Sequence, residues 1–66
     1  MRAPDRLRFH WGYEDATFDH EHGVRRIVPE GDAAHCAGYA HGMLEPGVDS
    51  GPAWIAWCYS RVGVAS

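Results

Sequence analysis

The apolar positions near the start of the chain alternate. Leu7, Phe9, Trp11 and Tyr13 are separated by Arg8, His10 and Gly12, the period of two that a strand shows when one face is buried and the other meets water. Glu14-Asp15-Ala16 reads as a turn, and Thr17-Phe18-Asp19-His20-Glu21 alternates more weakly. His22-Gly23 supplies a glycine for a reversal into Val24-Arg25-Arg26-Ile27-Val28, so the pattern predicts a three-stranded antiparallel meander closed by Pro29-Glu30-Gly31.

The period then changes. Asp32 has the carboxylate wanted of an N-cap, and the spacing predicts a helix over 33–44, stopped by Pro46-Gly47. Ala34, Gly38 and Gly42 fall at i, i+4 and i+8 along one side of it. Two glycines inside a helix each cost up to about 1 kcal/mol relative to alanine, and close packing of that small-residue groove on the aromatic sheet is the expected compensation. Val48-Asp49-Ser50-Gly51-Pro52 reads as a loop. From Ala53 to Val64, one parity gives Trp54, Ala56, Cys58, Ser60, Val62 and Val64, and the other gives Ala53, Ile55, Trp57, Tyr59, Arg61 and Gly63. Both faces are largely apolar, as in a central strand covered on two sides.

The fold class expected is α+β: a single small domain over 1–66, built as an antiparallel sheet of about four strands in the order β-β-β-α-β with one helix on one face. A single helix covers only one face, and an identical chain is the commonest cover for the other. The sequence therefore points to a homo-oligomer, with Trp54, Trp57, Tyr59 and Arg61 of the last strand and Trp11 of the first as interface or binding residues. On this reading Trp57→Asp dissociates or unfolds the protein, because it buries an unpaired charge.

Size gives self-association a reason. A chain of 66 residues buries only about 60% of its unfolded surface, and such a core supplies roughly 3–5 kcal/mol. The formal charge is −3 and every basic side chain is an arginine, which argues against a polybasic nucleic-acid or membrane binder. Lysine, asparagine and glutamine are absent, a bias that fits G+C-rich coding. No stretch approaches the roughly 18 apolar residues of a membrane span, and Met1-Arg2-Ala3-Pro4 does not lead into a signal peptide, so a cytoplasmic protein is expected. There Cys36 and Cys58 are expected as buried thiols, although a disulfide between them would contribute about 3 kcal/mol.

The candidate chemistry is sparse. Five histidines and two cysteines raise zinc as an alternative cofactor, with His20 and His22 as the better pair because alternate residues of a strand share a face. His35 and Cys36 lie about 120° and 140° from His41 on a helix, so none of these makes an i, i+4 chelate. Cys36 beside His35 is the one nucleophile–base neighbourhood, and it suggests an enzyme only if a cleft is shared between subunits. Arg25 and Arg26, with Arg8, define a possible site for a small anionic, nucleotide-like ligand beside aromatic rings. No G-x-S-x-G or phosphate-loop motif is present. The function expected is a small non-enzymatic binding protein acting as a homo-oligomer, of the kind a phage or mobile element uses to inhibit a host protein.

Overall fold

The computed structural model describes residues 4–28 and 31–63. Three helices account for its regular structure: α1 (Asp5–Glu21), α2 (Ala33–Leu44) and α3 (Ser50–Gly63). Among the described residues there is no strand, so the expected α+β sheet is replaced by a bundle of helices. Part of the turn expected at 29–31, and the end of the last expected strand at Val64, lie outside the described residues.

α1 replaces the first two expected strands and the turn between them. Its buried residues are Phe9, Gly12, Tyr13, Ala16 and Asp19, a spacing of three and four that defines one helical face. The alternation misleads because a period of two contains the i, i+4 pair Phe9 and Tyr13, which a helix also places on one side. Leu7 and Trp11, the other members of the alternation, are about half exposed. α1 ends in a Schellman motif: Gly23 adopts φ +66°, its N–H reaches the His20 carbonyl at 3.2 Å, and the Val24 N–H reaches that of Asp19 at 2.9 Å. Residues 24–28, expected as a third strand, form no strand pairing and lead back along the helices.

α2 has the expected bounds. Asp32 caps it, Oδ1 accepting the His35 N–H at 3.0 Å. Contacts between α1 and α2 keep step in sequence, Arg8 with Asp32, Gly12 with Tyr39 and Tyr13 with Gly42, so the two helices run parallel. The chain between them must return about 21 Å at 1.5 Å per residue, well within reach of the eleven residues 22–32.

The small-residue groove of α2 is filled, but by a helix and not by a sheet. A Cβ on Gly38 would collide with the carbonyl of Phe9, and one on Gly12 with that of His35. At Gly42 it would stand 2.6 Å from the Ala16 Cβ. Three glycines therefore let two backbones touch, which offsets their poor helix propensity.

α3 replaces the expected central strand. Asp49 precedes it and accepts the Gly51 N–H at 3.0 Å, and Pro52 sits in the first turn, where its missing N–H costs nothing. α3 runs antiparallel to α1, with Ser50 beside His10 and Arg61 near Asp5. Trp54 and Trp57 close over Phe9, with ring centroids 5.5 and 5.6 Å away. The loop between α2 and α3 is tied to α1 through Tyr13 Oη, which donates to the Glu45 carbonyl at 2.7 Å, and Thr17 Oγ1, which accepts the Gly47 N–H at 3.1 Å.

Candidate interaction surface

The core of this bundle is small. Phe9, Tyr13, Ala16, Ala34 and Tyr39 are its buried hydrophobic residues among those described, and many larger apolar side chains are left outside. On α3, Tyr59 is 75% and Ile55 53% exposed. They lie about 40° apart on the helix, and with Trp54 and Cys58 they line an apolar depression of about 230 Å³. Arg61 is the one charged side chain of α3. It lies back over the Trp57 ring at 4.6 Å from the centroid, leaving this face uncharged.

α1 adds a second exposed stripe. Leu7, Trp11 and Phe18 are 41, 45 and 54% exposed and fall within about 40° of a common direction. Leu7 and Trp54 line one cleft together with Arg6, His10, Asp49 and Ser50, so the stripe meets the α3 face there and the two form an apolar belt crossed at that point by polar side chains.

The residues expected at an interface divide accordingly. Tyr59 and Trp11 are exposed on the belt, and Trp54 is half-buried with one edge in the core. Trp57 is turned inward against Phe9. Leu7, Phe18 and Ile55 join the belt without having been singled out in the sequence, since only a helical register places them there.

The arginines expected to meet an anion are differently placed. Arg8 Nη2 stands 2.6 Å from Asp32 Oδ2. Arg26 grips Asp19 with two bonds, Nε to Oδ2 and Nη2 to Oδ1, both 2.8 Å, and its Nη1 is 3.4 Å from Asp15. Arg25 is exposed. Asp19 is 1% exposed and also accepts the Tyr39 hydroxyl at 2.7 Å. Hydrogen bonds from Arg26 and then Tyr39 outweigh burial and hold its carboxyl far below the usual range. Tyr39 Oη in turn accepts the Arg26 N–H at 3.0 Å, so this cluster pins the returning chain onto α1 and α2.

The metal and nucleophile alternatives find no assembled site. His20 and His22 are exposed near the end of a helix, about 200° apart, so the shared face that a strand would have given them is lost. His22 stacks on Phe18 with ring centroids 4.0 Å apart and donates from Nδ1 to the Phe18 carbonyl at 2.8 Å. Among the described residues no group of three or more His, Cys, Asp or Glu side chains could hold a metal ion. His35 Nε2 faces Asp15 at 3.1 Å and its Nδ1 faces Asp32 at 4.0 Å, while Cys36 Sγ approaches the Val28 carbonyl at 3.9 Å. Neither Cys36 nor Cys58 is in a disulfide.

Comparison with known protein families, curated proteins and solved structures finds no match for this chain. No helix of the described residues is long and apolar enough to cross a membrane.

Proposed function

We propose that this protein is a small interaction module that works as a homo-oligomer, pairing through the outer face of α3. The observation that carries the reading is the uncharged surface on which Ile55 and Tyr59 are exposed beside half-buried Trp54 and Cys58, of the kind that marks an interaction site. A second copy suits it because the face is self-complementary. When two α3 helices pair antiparallel about a two-fold axis near residues 56 and 57, Ile55 meets the Cys58 position and Trp54 the Tyr59 position of the other copy, large against small and ring against ring. A helix of 14 residues is only about 21 Å long and falls short of the roughly 1,200 Å² that a stable interface buries. The adjoining stripe of Leu7 and Trp11 supplies the remainder.

Native mass spectrometry tests this reading. The expected species is a multiple of the 7.3 kDa chain, and Tyr59→Asp and Ile55→Asp convert it to a monomer that keeps its helical circular dichroism. A wild-type protein that stays monomeric at its highest soluble concentration refutes it. Trp57→Asp does not discriminate, because Trp57 packs on Phe9 and its loss unfolds the monomer as well.

A further inference from the structure

Where α3 begins, a serine, a histidine and a glutamate are joined in series. His10 Nδ1 is 2.8 Å from Ser50 Oγ, and His10 Nε2 is 2.9 Å from Glu14 Oε1. A carboxylate only accepts hydrogen bonds, so Nε2 carries the proton of the neutral ring and Nδ1 turns its lone pair to the Ser50 hydroxyl. Nucleophile, base and orienting carboxylate thus stand in the order that serine activation requires. His10 and Glu14 are an i, i+4 pair on α1, and the antiparallel packing of α3 brings Ser50 to them. His10 and Ser50 line a cleft of about 390 Å³ together with Arg6, Leu7, Asp49 and Trp54, and Glu14 stands behind His10.

We propose that Ser50 is an activated nucleophile that accepts acyl groups from aryl esters bound in this cleft. Ser50 Oγ adds to the ester carbonyl carbon as His10 Nδ1 takes the hydroxyl proton. The adduct then collapses, the bond from that carbon to the aryl oxygen breaks, and the phenol leaves with the proton from His10. Water attacks the acyl-serine with His10 again as base, releasing a carboxylic acid and restoring the hydroxyl. Leu7 and Trp54 offer an apolar wall to the aryl ring, and Arg6 is the cation lining the cleft for the developing oxyanion. Asp49 narrows the substrate class. It holds the Gly51 N–H at 3.0 Å and Pro52 has no N–H, so two positions of the first turn of α3 give no donor to an oxyanion. A readily departing aryloxide is therefore needed, which favours aryl esters over alkyl esters and amides. Leu7 and Trp54 also belong to the proposed pairing surface, so labelling is measured at a dilution where native mass spectrometry finds the monomer.

The probe is p-nitrophenyl acetate with the full chain, and the readout is acetyl-Ser50 located by peptide mass spectrometry. Wild-type protein is expected to carry acetyl on Ser50, and Ser50→Ala to lose both this label and the burst of nitrophenolate. His10→Ala or His10→Gln slows labelling of Ser50 by about a hundredfold, the scale of a positioned general base. Added imidazole restores labelling in His10→Ala, and Glu14→Gln slows it by less. The proposal is overturned if Ser50→Ala consumes ester as fast as wild type, with label only on the amino terminus or histidines. It is overturned equally if Ser50 is labelled as fast without His10.

Discussion

Gly38 and Gly51 both occupy helices, yet alanine at the two positions has opposite consequences. At Gly38 a Cβ meets the backbone carbonyl of Phe9 on the neighbouring helix, which moves only if the two helices separate. The gain in helix propensity is about 1 kcal/mol, and overpacking of this kind costs roughly 1–3 kcal/mol or more, so Gly38→Ala is expected to destabilise. At Gly51 the nearest atom to a Cβ is Asp49 Oδ1 at 3.4 Å, an ordinary contact, and Gly51→Ala is expected to stabilise by up to about 1 kcal/mol. Urea unfolding of the two variants checks the pair, and equal effects would mean that the α1–α2 contact does not control the fold. Phe9 is the other decisive residue. It is fully buried among Trp54, Trp57 and His41, and truncating a buried phenylalanine costs about 3–5 kcal/mol, as much as a core of this size supplies. Phe9→Ala is therefore expected to leave no cooperative thermal transition in circular dichroism.

Among the elements, α2 was legible in the sequence and its partners were not. The cap at Asp32 and the stop at Pro46-Gly47 are local chemistry, and they set bounds that the structure keeps. The groove of Ala34, Gly38 and Gly42 announced a close backbone, but glycine carries no information about what approaches it, and the visitor is a helix. α1 was hidden because Gly12 and Asp19, which help complete its buried face, do not count as apolar and Ala16 is too small to stand out, leaving only the alternating rings to be read. α3 was hidden because a short apolar run fits a buried strand or a buried helix equally well by periodicity. The better guide was Asp49 with Pro52, a cap and a first-turn proline. The interaction belt follows the same division. Its aromatic content was visible, whereas the separation of Tyr59 from Trp57 into outer and inner faces depends on the helical register. Capping also gives a test at this scale. Asp32→Ala removes the side-chain acceptor of the His35 N–H and the partner of Arg8, and is expected to cost about 1–2 kcal/mol, measured by chemical denaturation. Asp32→Asn retains an oxygen acceptor for the cap and is expected to recover much of that loss.

For the whole molecule, acid and base act on different residues of the same α1–α2 seam. Arg26 and Tyr39 hold the Asp19 carboxyl far below its usual range. Burial raises that of Asp32, but the His35 N–H and Arg8 together outweigh it and the net shift is downward. A carboxyl whose folded pKa is depressed stabilises fully above its unfolded value of about 3.9 and loses that contribution as pH falls toward the folded one. Tyr39 and Tyr13 are shifted the other way. Burial leads in both, followed by the bond to Asp19 for Tyr39 and the charges of Glu45 and Asp49 for Tyr13. Their contribution is complete below about pH 10 and declines as pH rises through the elevated values. Melting temperature at fixed protein concentration, a condition that self-association requires, is therefore expected to be flat with respect to these groups between roughly pH 4 and 10 and to fall on both sides. Asp19→Asn should melt lower at neutral pH, because Arg26 and Tyr39 lose their anionic acceptor. It should also show a shallower acid limb, because the carboxyl that takes up the proton is gone. An acid limb as steep as that of the wild type would place the acid sensitivity outside this cluster, and the returning chain at Arg26 would then be held by something other than Asp19.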